Sequence, residues 1–389
     1  MGLVHILLLL GCAVAIYLAC EWFVNAVEWL GVRLQLGTLA VGTVLAAIGT
    51  ALPESVVTLV AVTLGHGAQS KELGVGAAMG GPLALATIAY GVTGWMMLSR
   101  RRARTAARAA ARSAARTAAR TNPRTTPLLV PAGGGEAPPD QAAAIAASPT
   151  EASLDMSPLY ETGGHPMSGV NRRRLASDQT WFLCIFVVKV GLGLVAFALK
   201  PWLGLAFFAA YGAYFVREMR ADGLAHTAAG LEPLKLQPHR PAPAGWAVGV
   251  QTLVTLVIIF AASQLFVAQL EWAGPVLGLP ATVTALLLSP IATELPEVMN
   301  AVIWVRQGKT QLALANISGA MMIQATVPSG IGLLFTPWRF DGALLLSGLI
   351  TMAAIVYLLT LMRTHRFTPG RLALAGAFYA VFAAGLVLI

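Results

Sequence analysis

Long apolar runs separated by short polar breaks dominate the chain. Windows of roughly 20 apolar residues mark about ten candidate membrane spans. They cover 3–30, 36–65, 71–97, 180–198, 200–216, 245–273, 278–306, 310–336, 341–362 and 369–388. Nothing alternates with the period of two that a barrel strand needs. Hydrocarbon offers backbone groups no water, so the spans are predicted as helices, which satisfy those groups within one segment. The predicted fold class is an all-α membrane protein.

One part of the pattern occurs twice. Residues 23–54 align without a gap to 266–297 at a constant offset of 243, with thirteen identities, among them Glu28/Glu271, Trp29/Trp272, Thr50/Thr293, Pro53/Pro296 and Glu54/Glu297. The match resumes between 72–87 and 311–326, pairing Gly80 with Gly319 and Thr87 with Thr326. Five spans per copy is an odd number, so the second copy enters the membrane from the opposite side. The expected architecture is two inverted five-helix repeats.

Composition agrees with the spans. The chain is 57% hydrophobic and 11% charged, with mean hydropathy +0.72. A soluble domain carries about 25% charged residues, so most of this chain must face lipid. The segment before the first span, MGLVH, lacks the basic residue of a signal peptide. Cys12, Cys20 and Cys184 lie in apolar spans and read as buried small hydrophobes, without disulfide or metal spacing.

Charge sets the orientation. With both termini outside, 22 of the 26 Lys and Arg fall in cytoplasmic loops, which predicts a multi-pass protein of the plasma (inner) membrane. The net charge of +9 then follows from topology, and no nucleic-acid partner is required. Residues 1–98 form the first three spans of repeat one, and 99–179 a basic, then disordered, cytoplasmic loop. Residues 180–216 complete that repeat, 217–244 form a second cytoplasmic loop, and 245–389 form repeat two. Between Arg100 and Arg124 an arginine recurs every fourth position in an alanine-rich background, as in a helix. Two readings stay open: a basic helix lying on anionic lipid, or a solvated extension of the third span. Residues 125–178, rich in Pro, Gly, Ser and Ala, are expected to be a disordered linker.

The chemistry sits where each repeat places Pro-Glu inside an apolar run. Pro53 has no N–H and crowds the carbonyl of Gly49, so carbonyls near Ala46 to Thr50 are expected to be freed. Thr50 adds a hydroxyl and Glu54 a carboxylate. The second copy offers Thr293 and Glu297 plus a further acid, Glu294, three residues from Glu297 on one helix face. Inversion would bring both turns together at the bilayer midplane as a cage of hard oxygen atoms, which suits Ca2+, Na+ or a proton and disfavours Zn2+ or Cu+. Intramembrane acids are costly, and two matched copies point to a transport site. Glu28 and Glu271, each beside Trp, read as interfacial anchors, and Lys189 as a snorkelling or paired lysine. No phosphate-binding loop, G-x-S-x-G or H-E-x-x-H occurs, so an enzyme is not expected.

GTALPE (49–54) and ATELPE (292–297), each followed by a second helix rich in small residues, resemble the two α-repeats of the sodium/calcium exchanger (cation/Ca2+ exchanger) superfamily. The resemblance implies exchange of Ca2+ or a related cation against Na+ by alternating access, with spans 1 and 6 sliding across the core and no resident cofactor. It places Ca2+ ligands on Glu54 and Glu297 and Na+ ligands on Thr50 and Thr293. In the family's second motif, similar to G-N-x-x-G-S-N, this chain has GAAMGGP (76–82) and ANISGAM (315–321). Asn316 is kept, and Ser318 and Gln324 remain nearby as polar candidates, while Ala77, Gly81 and Pro82 replace oxygen-bearing residues. With one acid gained and neutral ligands lost, a cation/proton antiporter on the same fold is the alternative. A transport-inactive membrane scaffold or receptor is the reading from another class.

Overall fold

The computed structural model describes residues 2–63, 68–121, 170–220, 231–276, 287, 290, 293–364 and 366–388. Every element among them is a helix. They form ten rods: α1 (Gly2–Arg33), α2 (38–63), α3 (68–121), α4 (Arg172–Leu194), α5 (Leu203–Arg220), α6 (Gly245–Val276), α7 (Leu295–Arg306), α8 (Thr310–Phe335), α9 (Gly342–Arg363) and α10 (369–388). Each rod falls on one of the ten predicted spans. Among the described residues, seven stretches are long and apolar enough to cross a membrane. The others, α2, α5 and α7, are interrupted, short or described only in part.

The duplication is visible in the first helix of each repeat. α1 and α6 are described over Gly2–Arg33 and Gly245–Val276, corresponding stretches at the sequence offset of 243. At 1.5 Å per residue each is about 48 Å long, more than the hydrocarbon thickness, so each tilts or projects beyond it. They pack chiefly on each other, while the fifth helix of each repeat packs on the third helix of the other. α4 and α9, equivalent in the two repeats, also pack together. Each starts at a side-chain cap: Asn171 Oδ1 accepts from the Arg174 N–H at 3.1 Å, and Asp341 Oδ1 from the Leu344 N–H at 2.8 Å.

α8 is the central helix, buried almost throughout from Leu312 to Leu333. Its small residues allow a close crossing with α2. A Cβ on Gly319 would collide with the Thr43 carbonyl, and one on Gly42 would lie 2.8 Å from the Ala315 Cβ. Such backbone-to-backbone contact is how membrane helices gain packing without a hydrophobic drive between them.

The break in α2 lies earlier than Pro53 suggested. A wide π turn spans Val41–Ala46, and an α-helix continues from Ala47 to Thr63 through the proline. The Ala46 carbonyl is not free, because the Thr50 hydroxyl donates to it at 3.1 Å. The widened turn is where Gly42 meets α8, so it is helix crossing rather than proline that sets its position. Residue 287, the repeat equivalent of Val44, is also in π geometry.

The third rod changes from a π turn at Leu85–Ala89 to an unbroken helix, Tyr90–Thr121, that carries the periodic arginines onward. This is the geometry of an extended span. The expected linker, 125–178, lies outside the described residues as far as 169, but its end is ordered: 172–178 form the first turns of α4, capped by Asn171 and packed through buried Leu175 and Asp178. Cys184 is exposed on α4, unlike buried Cys12 and Cys20. It faces outward because a lipid-facing helix side needs only apolar character, which a thiol supplies.

Candidate cation site

The second repeat builds its site from an interrupted helix. Glu294 sits at the turn before α7, and Pro296 occupies its first turn, where a missing N–H costs nothing. Glu297 therefore lies at the start of α7, near the positive end of the helix dipole. The Thr293 hydroxyl donates back to the Pro290 carbonyl at 3.3 Å.

Both acids are buried beneath α8. Gln324 Nε2 donates to Glu294 Oε1 at 2.6 Å. Asn316 Nδ2 reaches the Glu297 backbone carbonyl at 3.5 Å, leaving Asn316 Oδ1 without a partner among the described residues. Both Glu297 oxygens and Glu294 Oε2 are likewise buried and unpartnered. The Thr50 hydroxyl lies beside the Glu297 carboxylate, although its hydrogen goes to Ala46. An orphaned carboxylate inside a bilayer is costly, so such a group calls for a cation or a proton.

The first repeat approaches from the other side. Glu54 follows Thr50 by one turn on α2 and is described by its backbone position only. Gly81 of α3 explains one departure from the family motif: a Cβ there would lie 2.5 Å from Gln324 Oε1 and 2.7 Å from Glu294 Oε1. Glu294 and Gln324 fill the space that a serine would occupy. Gly80 meets Pro290 in the same close fashion. α1 covers the turn, with Cys20 Sγ 3.8 Å from the Pro296 carbonyl and Phe23 against Gly49.

Thr50 and Asn316 thus lie at Glu297, and Gln324 lies at Glu294 three residues before it, with Thr293 next in the chain. Ser318 does not join them. Its hydroxyl accepts from Gln179 Nε2 at 3.2 Å, and that amide also donates to the Tyr90 hydroxyl at 2.8 Å. Among the described residues no three His, Cys, Asp or Glu form a metal cluster.

Two polar residues went unrecognised in the sequence. Asn300 is fully buried with both amide atoms unpartnered, and the Thr58 hydroxyl is buried and unpartnered. Each follows its repeat's Pro-Glu acid by one turn (Glu297 to Asn300, Glu54 to Thr58), and that spacing, which shares a helix face, was the available signal.

Lys189 does not snorkel. Fully buried, it donates to the Ala78 carbonyl at 2.7 Å. Glu28 is not an interfacial anchor either: it is buried and paired with Lys309, and Trp29 donates to the Glu232 carbonyl at 2.9 Å. The side chain of Glu271 lies outside the described residues, while Trp272 stacks on His5 with ring centroids 3.7 Å apart.

Two inverted helical repeats that cross at buried acids define a multi-pass membrane transporter of small cations, not an enzyme. The family model described as sodium/calcium exchanger protein matches residues 4–116 and 248–389, and the chain belongs to that family. Solved structures of the sodium-calcium exchanger NCX_Mj share the fold. With the crystal soaked in 10 mM Na+ and zero Ca2+, the TM-score is 0.65 at 14% identity, covering 99% of this chain and 100% of that one. Soaked in 2.5 mM Na+ and 0.1 mM Ca2+, it is 0.63 at 14% identity, covering 99% and 98%. No curated protein matches the chain.

Proposed function

We propose that this protein is a secondary-active antiporter that moves Ca2+ or a related cation against Na+ by alternating access. The cation is held near the midplane by Glu54, Glu294 and Glu297, with Thr50, Thr293, Asn316 and Gln324 as neutral ligands or supports. The observation that carries this reading is the Glu297 carboxylate, buried with neither oxygen partnered, where helices of both repeats meet. NCX_Mj, whose structures describe extracellular ion exchange and induced binding-site occlusion, supports it through shared fold. Positive-inside charge supports placement in the plasma membrane with both termini outside.

A second reading, cation/proton antiport, draws on the Gln324 amide at Glu294 and on Gly81, where a neutral ligand gives way to an acid. Two carboxylates this close do not ionise together unless a cation lies between them, so a proton competes for the site.

Flux in everted vesicles decides between them. The expected result is 45Ca2+ uptake driven by an imposed Na+ gradient and abolished by Glu54→Gln or Glu297→Gln. Uptake that follows only a pH gradient assigns proton coupling. No flux in the folded wild type, with both substitutions silent, returns the protein to the scaffold class.

A further inference from the structure

α4 and α5 both pack on α8 and are bridged to one another by side chains at one end, Arg174 to Glu218 and Arg217 to Asp178, while their backbones stay apart. The gap between them is an outward-facing crevice of about 490 Å³, within the range of roughly 300–1,000 Å³ typical of small-ligand sites. Its lining is apolar apart from one end and includes Trp181, Cys184, Ile185, Val188, Phe207 and Ala210.

The remaining end is basic. Arg363 Nη2 donates to the hydroxyl of the lining residue Thr180 at 3.1 Å, and Arg363 is exposed with no acidic partner among the described residues. Arg217 lies over the Trp181 ring at 5.4 Å and donates to Ser177 at 3.3 Å. The acids there, Asp178 and Glu218, are buried and already paired with Arg217, and Glu218 also with Arg174. Arg173, Arg220 and Arg366 stand exposed at the same end. Arg217 is thus neutralised by its own acids, and the cap with no acidic partner among the described residues is Arg363, so the apolar slot fits an acyl chain below an anionic headgroup. On the predicted orientation it opens to the cytoplasmic leaflet, where anionic lipids attract basic pockets between helices.

We propose that this crevice is a binding site for one anionic phospholipid, its acyl chain between α4 and α5 and its phosphate at Arg363. The site is separate from the cation cage and stands whether or not the exchange reading does.

The test uses full-length protein in vesicles containing phosphatidylglycerol or phosphatidylcholine with a photoactivatable acyl chain, with adducts mapped by peptide mass spectrometry. Phosphatidylglycerol adducts on 184–188 and 206–210 are expected at several-fold excess over phosphatidylcholine. Arg363→Gln removes the preference, Arg363→Lys retains most of it, and Ala210→Trp removes the adducts from both lipids. Equal labelling by the two lipids overturns the proposal. So does labelling no greater than on the exposed α6 face around Leu253 and Val257. Dimers cross-linked through Cys184 without lipid adducts would assign the crevice to a second copy instead. If Arg363→Gln does not fold, the wild-type lipid preference and Ala210→Trp still decide.

Discussion

Glu28 and Lys309 form a buried ion pair across 281 positions of sequence, with Lys309 Nζ 2.7 Å and 2.5 Å from the two carboxylate oxygens. Trp304 Nε1 completes the set at 2.9 Å. The pair ties α1 to the α7–α8 corner, beside the helix that holds Glu297. Lys309→Met leaves a carboxylate almost out of reach of water with one neutral donor. Breaking a fully buried pair costs about 3–5 kcal/mol, and the partial exposure of Lys309 lowers this to about 2 kcal/mol. Thermal unfolding in detergent should show that loss, and adding Glu28→Gln should restore most of it. An unchanged midpoint in the single variant would place the pair among surface bridges of no consequence.

The crossing of α2 and α8 makes a sharper test of packing. At Gly319 a methyl group would meet backbone on the facing helix, which cannot swing aside, so Gly319→Ala must separate the rods. Expected is loss of folded yield or destabilisation by about 2 kcal/mol or more. Gly212, on the exposed side of α5, has open space where a methyl would stand, with nothing within 4 Å of it. Alanine there should be neutral or stabilise by up to about 1 kcal/mol. Folded yield by fluorescence-detected gel filtration separates the two.

Lys189 poses the reverse question. Its ammonium is fully buried, 2.7 Å from the Ala78 carbonyl and 5.0 Å from the Phe186 ring centre, with no acid paired to it among the described residues. Methionine fills the same space without a charge to desolvate, and Ala78 belongs to a helix in either case. Lys189→Met should keep or raise the unfolding midpoint and leave flux intact. If the variant folds yet loses flux, Lys189 takes part in ion coupling.

The fold was legible because bilayer depth, inversion and proline placement are each written in hydropathy at a fixed offset, and α1 and α6 occupy stretches related by that offset. The acids at 294 and 297 were legible because a charge inside an apolar run is too costly to persist without a role. What escaped were relations across distant sequence. Glu28 resembled an anchor because its lysine lies on another rod, and Ser318 resembled a ligand because Gln179, which takes it, lies in the other repeat. Local chemistry at Pro53 pointed to an opened turn at 46–50, but the α-helix runs through the proline and the wide turn lies at Val41–Ala46. The place of the wide turn was fixed by Gly42 meeting α8, and no local rule contains that contact.

Glu294 has no acidic counterpart in the first repeat, where Ala51 stands at the matching position. One of its oxygens is held by Gln324 and the other is unpartnered, so it faces the site as an anchored charge. A glutamine there keeps volume and a hydrogen-bonding oxygen for Gln324 while removing the charge. Carboxylate number weighs more on a divalent cation than on a monovalent one, because ligand charge count tunes Ca2+ affinity over orders of magnitude. Glu294→Gln should therefore fold normally and raise the KM for Ca2+ by about tenfold, which is about 1.4 kcal/mol. The Na+ dependence should move much less. Radiotracer uptake over a range of each ion, in the same vesicles, measures both. Equal shifts for the two ions would mean that Glu294 shapes the cavity rather than the charge, and no shift in either would place it outside the transport path.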